Sequence, residues 1–325
     1  MTRLFRRNIR VNDPASPFLL LSWVVFVLNS RVRFRKVAII GVGLLGGSLG
    51  LAIRKRRLAG EVAGFVRRAS SVVECQKLGA VHLATCDLIQ AVSGADLVVL
   101  CTPLAQMRSL VNQMLPALED GAIITDVGSV KASVVRELEP LAARRGAYFI
   151  GSHPLAGSEK TGVSAARADL FVNAACVVTP TKRSNAAARR RVEQFWKALG
   201  GRLLRLTPEM HDVLVSRSSH LPHIAAATLA NGILNPAHPK QQGELCANGF
   251  RDTTRIASGS PEMWRDIALA NRRNLSRALD HFIGDLRKFQ LVLGKADARA
   301  ITKFLVQAKQ RRDAWRAGCT SPSPE

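Results

Sequence analysis

The chain has 325 residues, 47 of them Lys or Arg and 24 Asp or Glu, for a formal charge of +23. At 47% hydrophobic it carries enough apolar side chain for sizeable cores, which excludes wholesale disorder. One core rarely grows past roughly 250–300 residues, so two domains are expected. No apolar run reaches about 18 residues, which argues against a membrane-spanning helix and a membrane partner. The cysteines (75, 86, 101, 176, 246, 319) are scattered with no CxxC pair, which predicts reduced thiols, a cytoplasmic location and no metal site. The basic residues are dispersed, and the 5% of aromatics do not alternate with them, so no nucleic-acid partner is expected.

Residues 1–35 read as an extension outside the fold. Arg3, Arg6, Arg7 and Arg10 precede an apolar run from Phe18 to Leu28, without a small-residue cleavage site after it. Val32 is a candidate true start.

The segment from Lys36 to Gly41 is short, apolar and β-branched, and it flows into Gly41-Val-Gly43-Leu44-Leu45-Gly46 and a helical stretch. Strand, glycine turn, helix is the order of a dinucleotide fingerprint. Gly41 allows the tight turn, Gly43 the approach of a pyrophosphate, and Gly46 close helix–strand packing, with free helix N–H groups facing the phosphates. A second strand ends at Val66, where an NAD site ordinarily holds a carboxylate for the ribose 2′-hydroxyl. Arg67, Arg68 and Ser70 follow, so NADP is favoured over NAD. Later strands run over 96–101, 121–126, 148–150 and 174–179, with helices between. Repeated strand–helix units predict an α/β, Rossmann-type doubly wound parallel sheet. Thr102 and Pro103, Ser129, and His153 follow strand ends and so belong on the cofactor rim.

From Thr207 the pattern becomes all-helical. Thr207-Pro208 is an N-cap with Pro in the first helical position. His211, Ser219 and His223 fall within about 120° of one helix face, with Pro222 expected to kink the helix. Gly249 to Arg255 is a short polar segment, and Ser260-Pro261 caps a helix carrying Trp264. Leu275, Leu279, Phe282, Leu286, Phe289 and Leu293 recur in a heptad-like seam that fits either a core or a dimer contact. The division expected is an extension (1–35), a nucleotide-binding domain (36–206), a helical substrate and dimerisation domain (207–312) and a polar tail (313–325).

At Gly151-Ser-His153-Pro-Leu-Ala-Gly-Ser-Glu159-Lys-Thr-Gly162 the chain resembles the prephenate dehydrogenases, a group that includes arogenate and cyclohexadienyl dehydrogenases. The resemblance holds in order through Gly41 to Gly50, Asp126-Val-Gly-Ser129-Val-Lys131, Ala168 to Phe171, Ser219 to His223, Gly249 to Arg255 and Met263 to Asp266. It implies NAD(P)-dependent oxidative decarboxylation of prephenate to 4-hydroxyphenylpyruvate, in tyrosine biosynthesis, by a homodimer. His153 then matches the family's base and Ser129 the residue that hydrogen-bonds the reacting hydroxyl. Arg255 matches the carboxylate binder. His211, Ser219, His223, Glu159 and Trp264 match residues around the substrate. Arogenate as substrate, another reductase of similar architecture, and a non-catalytic NADP-binding regulator are the alternatives.

Overall fold

The computed structural model describes residues 32–158 and 160–320, with side chains to residue 315. The expectations for residues 1–31 and for Glu159 fall outside the described residues. Eight strands form one sheet: β1 Phe34–Ile40, β2 Ala59–Phe65, β3 Leu83–Thr85, β4 Leu97–Leu100, β5 Ile123–Asp126, β6 Tyr148–Pro154, β7 Ala175–Thr179 and β8 Arg202–Arg205. Their order is β3-β2-β1-β4-β5-β6-β7-β8. Every neighbouring pair is parallel except β6 with β7.

Helices α1 Leu44–Arg56, α2 Ala69–Leu78, α3 Leu88–Val92, α4 Leu104–Met114, α5 Ala132–Ala143 and α6 Ala186–Ala198 alternate with the strands. The central strands β1 (from Val37) and β4 are apolar on both faces because both are covered. In β1, Val37 and Ile39 join one core with Phe171, Phe195 and Trp196, while Ala38 and Ile40 join the other with Met107, Val111 and Leu138.

After β8 come α7 Pro208–Val215, α8 Leu221–Ile233, α9 Gln241–Glu244, α10 Asn248–Thr254, α11 Pro261–Ala270, α12 Arg272–Gly294 and α13 Ala298–Thr320. Thr207 Oγ1 accepts the Met210 amide and Ser260 Oγ accepts the Met263 amide, as their positions before Pro predict. Between α7 and α8 a π-helical turn spans Ser216–His220, directly ahead of Pro222. Proline lacks the N–H an α-helix requires, and the wider turn absorbs the misfit.

Two sequence boundaries shift. The extension expected to reach residue 35 ends earlier, because Val32 and Phe34 are buried and the Phe34 ring packs edge-on against Phe195 at 5.9 Å. At the other end residues 313–320 of the expected tail are helical, since α13 continues to Thr320. The polar segment at Gly249 to Arg255 is also helical, forming α10 and the start of a 3-10 turn.

Candidate active site

The strand order reverses its direction of growth at β1, which lies between β2 and β4. A crevice at such a switch point, outside the strand C-termini, is where α/β sheets bind ligands. A cavity of about 390 Å³ opens there, lined by Gly41, Gly43, Arg67, Arg68, Thr102 and Pro103 among others. Gly41 has φ +100°, a conformation that side chains other than glycine rarely adopt. A Cβ on Gly46 would lie 2.1 Å from the Gly41 carbonyl, so the helix start and the turn touch backbone to backbone. Gly43 meets nothing within 4 Å, which leaves an open approach to the amides of Leu44, Leu45 and Gly46 in the first turn of α1. Thr102 Oγ1 is buried without a hydrogen-bond partner among the described residues. An open glycine turn and an orphaned hydroxyl on one cavity fit a bound dinucleotide.

Three expectations at this cavity need adjustment. The side chains of Leu44 and Leu45 pack on the core, so these residues offer backbone N–H groups only. Ser71, rather than Ser70, lines the cavity, because α2 starts at Ala69 and turns its third residue inward. Glu74, one turn further along α2, lines it too, a carboxylate the sequence reading did not weigh.

His153 lies within β6 and not beyond its end. β6 pairs parallel with β5 up to Ile150 and then antiparallel with β7, His153 opposite Val177. This holds the ring rigidly at the strand-end edge of the sheet, 7% exposed. His153 Nδ1 is 2.9 Å from His211 Nε2, and His211 Nδ1 is 2.8 Å from Asp212 Oδ1. The carboxylate can only accept, so His211 carries its proton on Nδ1 and accepts at Nε2. His153 therefore donates from Nδ1, and its Nε2 is left as an acceptor. Burial, then the neighbouring His211 and Lys131, hold the His153 imidazole well below its ordinary pKa. The arrangement is a neutral base with one lone pair to offer and a carboxylate two links away to stabilise the charge it would gain.

Asp212 is fixed by the nucleotide half. Its two oxygens accept the amides of Lys131 (2.7 Å) and Ala132 (2.9 Å) at the start of α5. The free N–H groups of a helix start favour a carboxylate there. Lys131, also buried, holds Asp126 and donates to the Ser152 carbonyl at 2.9 Å. Asp126 accepts the Ser152 amide at 3.0 Å. One polar network thus spans the ends of β5 and β6, the start of α5 and helix α7.

A second group lies alongside. The His223 and Trp264 rings stack with centroids 3.5 Å apart, and His220 meets the same indole edge-on at 6.1 Å. A Cβ on Gly259 would sit 2.9 Å from Trp264 Nε1 and 3.3 Å from His223 Cε1. Burial pushes the His220 imidazole down to about 4, against opposing pulls from Asp212 and the nearby Ser129 backbone. Asn271 donates from Nδ2 to the Asp212 carbonyl at 2.8 Å and lies 3.2 Å from His220 Nδ1. Ser219 is half-buried on the π-turn. Arg255 opens a 3-10 turn, Arg255–Ser258, packed against α8.

The structure thus joins His153 to His211 and His223 to Trp264, and sets the Ser129 backbone near His220. Sequence reasoning gave no role to Asp212, Lys131, Asp126, His220, Asn271 and Gly259. Asp212 and His220 were discoverable as neighbours of His211 and Ser219. Asn271 and Gly259 carried no local signal, because their role is a contact across the fold.

The sheet with its glycine turn and the buried imidazole chain describe an NAD(P)-dependent dehydrogenase. A family model for the nucleotide-binding domain of prephenate dehydrogenase matches residues 49–205, and one for its dimerization domain matches residues 207–307. The chain belongs to the prephenate dehydrogenase family. It is 34% identical to a prephenate dehydrogenase of Bacillus subtilis over 85% of this chain and 75% of that one. It is 33% identical to a cyclohexadienyl dehydrogenase of Zymomonas mobilis over 86% of this chain and 95% of that one. Among solved structures, a prephenate dehydrogenase from A. aeolicus in complex with hydroxyphenyl propionate and NAD+ aligns with a TM-score of 0.81. The identity there is 30%, over 86% of this chain and 98% of that one. A Synechocystis arogenate dehydrogenase aligns at 0.73 and 30% identity, over 86% and 99% of the two chains.

Proposed function

We propose that this protein oxidatively decarboxylates prephenate to 4-hydroxyphenylpyruvate, with His153 as the base. The observation that carries this reading is the Asp212–His211–His153 chain, which leaves a neutral imidazole with a single free acceptor. Bound nicotinamide supplies the acceptor for the hydride of the ring carbon that bears the hydroxyl. His153 takes the hydroxyl proton as that carbon becomes a carbonyl. The positive charge it gains is stabilised through His211 by Asp212. Departure of the ring carboxylate as CO2 sends its electron pair through the ring to the carbonyl oxygen, which takes up a proton as the phenol of the now aromatic ring. Ser129 orients the hydroxyl, and Arg255 binds a substrate carboxylate, a task suited to a planar guanidinium. His223 and Trp264 form a flat wall, and Ser219 completes it.

NADP is the preferred cofactor in this reading. Val66, buried at the end of β2, offers no carboxylate, and Arg67 and Arg68 line the cavity where a 2′-phosphate would lie. The protein works as a homodimer through the helical half. Phe282, Leu286 and Leu293 on α12 and Phe304 and Leu305 on α13 are exposed in the single chain, and an apolar face of this extent is a contact surface. The domain division at 206/207 and the tail from 313 belong to the same reading, amended for the helical span of α13. A reducing, cytoplasmic setting fits the free cysteines. Among the described residues no helix is long and apolar enough to cross a membrane.

The test is an assay of prephenate and arogenate, each with NAD and NADP, following reduced nicotinamide and the aromatic product. Prephenate with NADP should give the highest kcat/KM. Preference for arogenate would assign the second substrate, and turnover of neither would end the reading.

A further inference from the structure

We propose a second anion site, for a compact polyphosphate, at the edge of the sheet opposite the cofactor rim. Arg33 ahead of β1, Arg54, Lys55 and Arg57 at the end of α1, and His82 ahead of β3 surround a cavity of about 640 Å³. The rest of its lining is small or apolar and includes no carboxylate. The nearby Glu61 is engaged with Lys36 at 3.4 Å. Arg33, Lys55 and Arg57 form no ion pair among the described residues. Arg54 is held in place by the carbonyls of Gly79 and Val81, and His82 Nδ1 accepts the Val62 amide at 2.9 Å, which leaves Nε2 as a donor.

Complementing a helix C-terminus accounts for Arg54, Lys55 and Arg56. It does not account for Arg33, which comes from another element. Nor does it account for the choice of arginine at Arg57, where a left-handed φ of 55° and ψ of 44° caps α1 through the Arg57 and Leu58 amides, a task that favours glycine. A strained arginine that lines a cationic bowl points to a ligand for its guanidinium. Cations that converge without a carboxylate repel one another, and a multiply charged anion relieves this. The chain's +23 charge would raise its local concentration. No aromatic ring lines the bowl, so it lacks the stacking platform of a single-strand site, and the concave shape suits linked phosphates better than a duplex. The glycine turn and this bowl lie at the two ends of α1, 13 residues or roughly 20 Å apart.

The experiment is calorimetric titration of the full chain with inorganic triphosphate, with and without saturating NADP. Binding should persist with NADP present and weaken about tenfold or more in the Arg33→Ala/Lys55→Ala variant and in Arg57→Gly. Arg57→Gly should keep the unliganded Tm within about 3 °C of the wild type, since glycine accepts the same backbone. Three results would overturn the proposal. Triphosphate does not bind; binding is abolished by NADP or by Arg67→Ala/Arg68→Ala but untouched by the bowl variants; or a single-stranded oligonucleotide binds the bowl while triphosphate does not.

Discussion

Asp212 stands between the two halves of the site, and its removal separates positioning from folding. Asp212→Asn keeps the shape but turns one acceptor into a donor, so His211 loses the partner that fixes its tautomer. We expect kcat to fall by about 10²-fold or more, as when a base loses its orienting group, with cofactor affinity unchanged by titration. His153 and His220 give the site a particular response to acid. Both are held below the ordinary value of 6.5, so in the folded state they stay neutral where the unfolded chain would take up protons. Their contribution to stability is complete above pH 6.5 and is lost as pH falls toward the folded values. For His220, with a folded value of about 4, this is worth roughly 3 kcal/mol. Tm should be flat from pH 8 to about 6.5 and decline below it, and less steeply in His220→Gln. A flat Tm down to about pH 4.5 would contradict these assignments. The acid limb of kcat/KM should likewise lie well below 6.5, and not near the value of a free histidine.

At the scale of elements, what was legible depended on whether the signal was local. The glycine turn, the caps at Thr207 and Ser260 and the misfit ahead of Pro222 come from backbone rules acting over a few residues, and each lies where the sequence placed it. β6 was half read. Its apolar start is evident, but the continuation through His153 exists only because β7 pairs with it from far along the chain. The seam from Leu275 to Leu293 was ambiguous for a related reason. Leu275 is buried within its own chain while Leu286 and Leu293 are exposed, so one periodic face serves two surroundings. The β2–α2 loop carries the cofactor prediction. Val66→Asp should move the kcat/KM ratio toward NAD by about tenfold or more, roughly 1.4 kcal/mol of differential binding. No change in the ratio would place 2′-phosphate recognition elsewhere. Gly259→Ala tests the aromatic wall. Its methyl would press on Trp264 and His223, and KM for substrate should rise while the affinity for NADP stays constant.

The whole molecule is a nucleotide-binding sheet whose α5 start grips a carboxylate from the first helix of the second half. That grip, Asp212 on the Lys131 and Ala132 amides, positions the relay. The exposed apolar face of α12 and α13 predicts a dimeric mass in solution. Phe282→Glu with Leu286→Glu should yield a folded monomer with reduced activity, measured by light scattering and assay together. A wild-type mass of one chain would contradict the dimer.

The central claim is that His153 takes the proton, and it is tested most directly by steady-state turnover of prephenate with NADP by His153→Asn. Asparagine retains some hydrogen bonding but cannot accept the proton. The account predicts a fall in kcat of about 10²–10⁴-fold, with the Kd for NADP unchanged. A variant that turns over prephenate at a near-normal rate would place the base elsewhere and contradict the account.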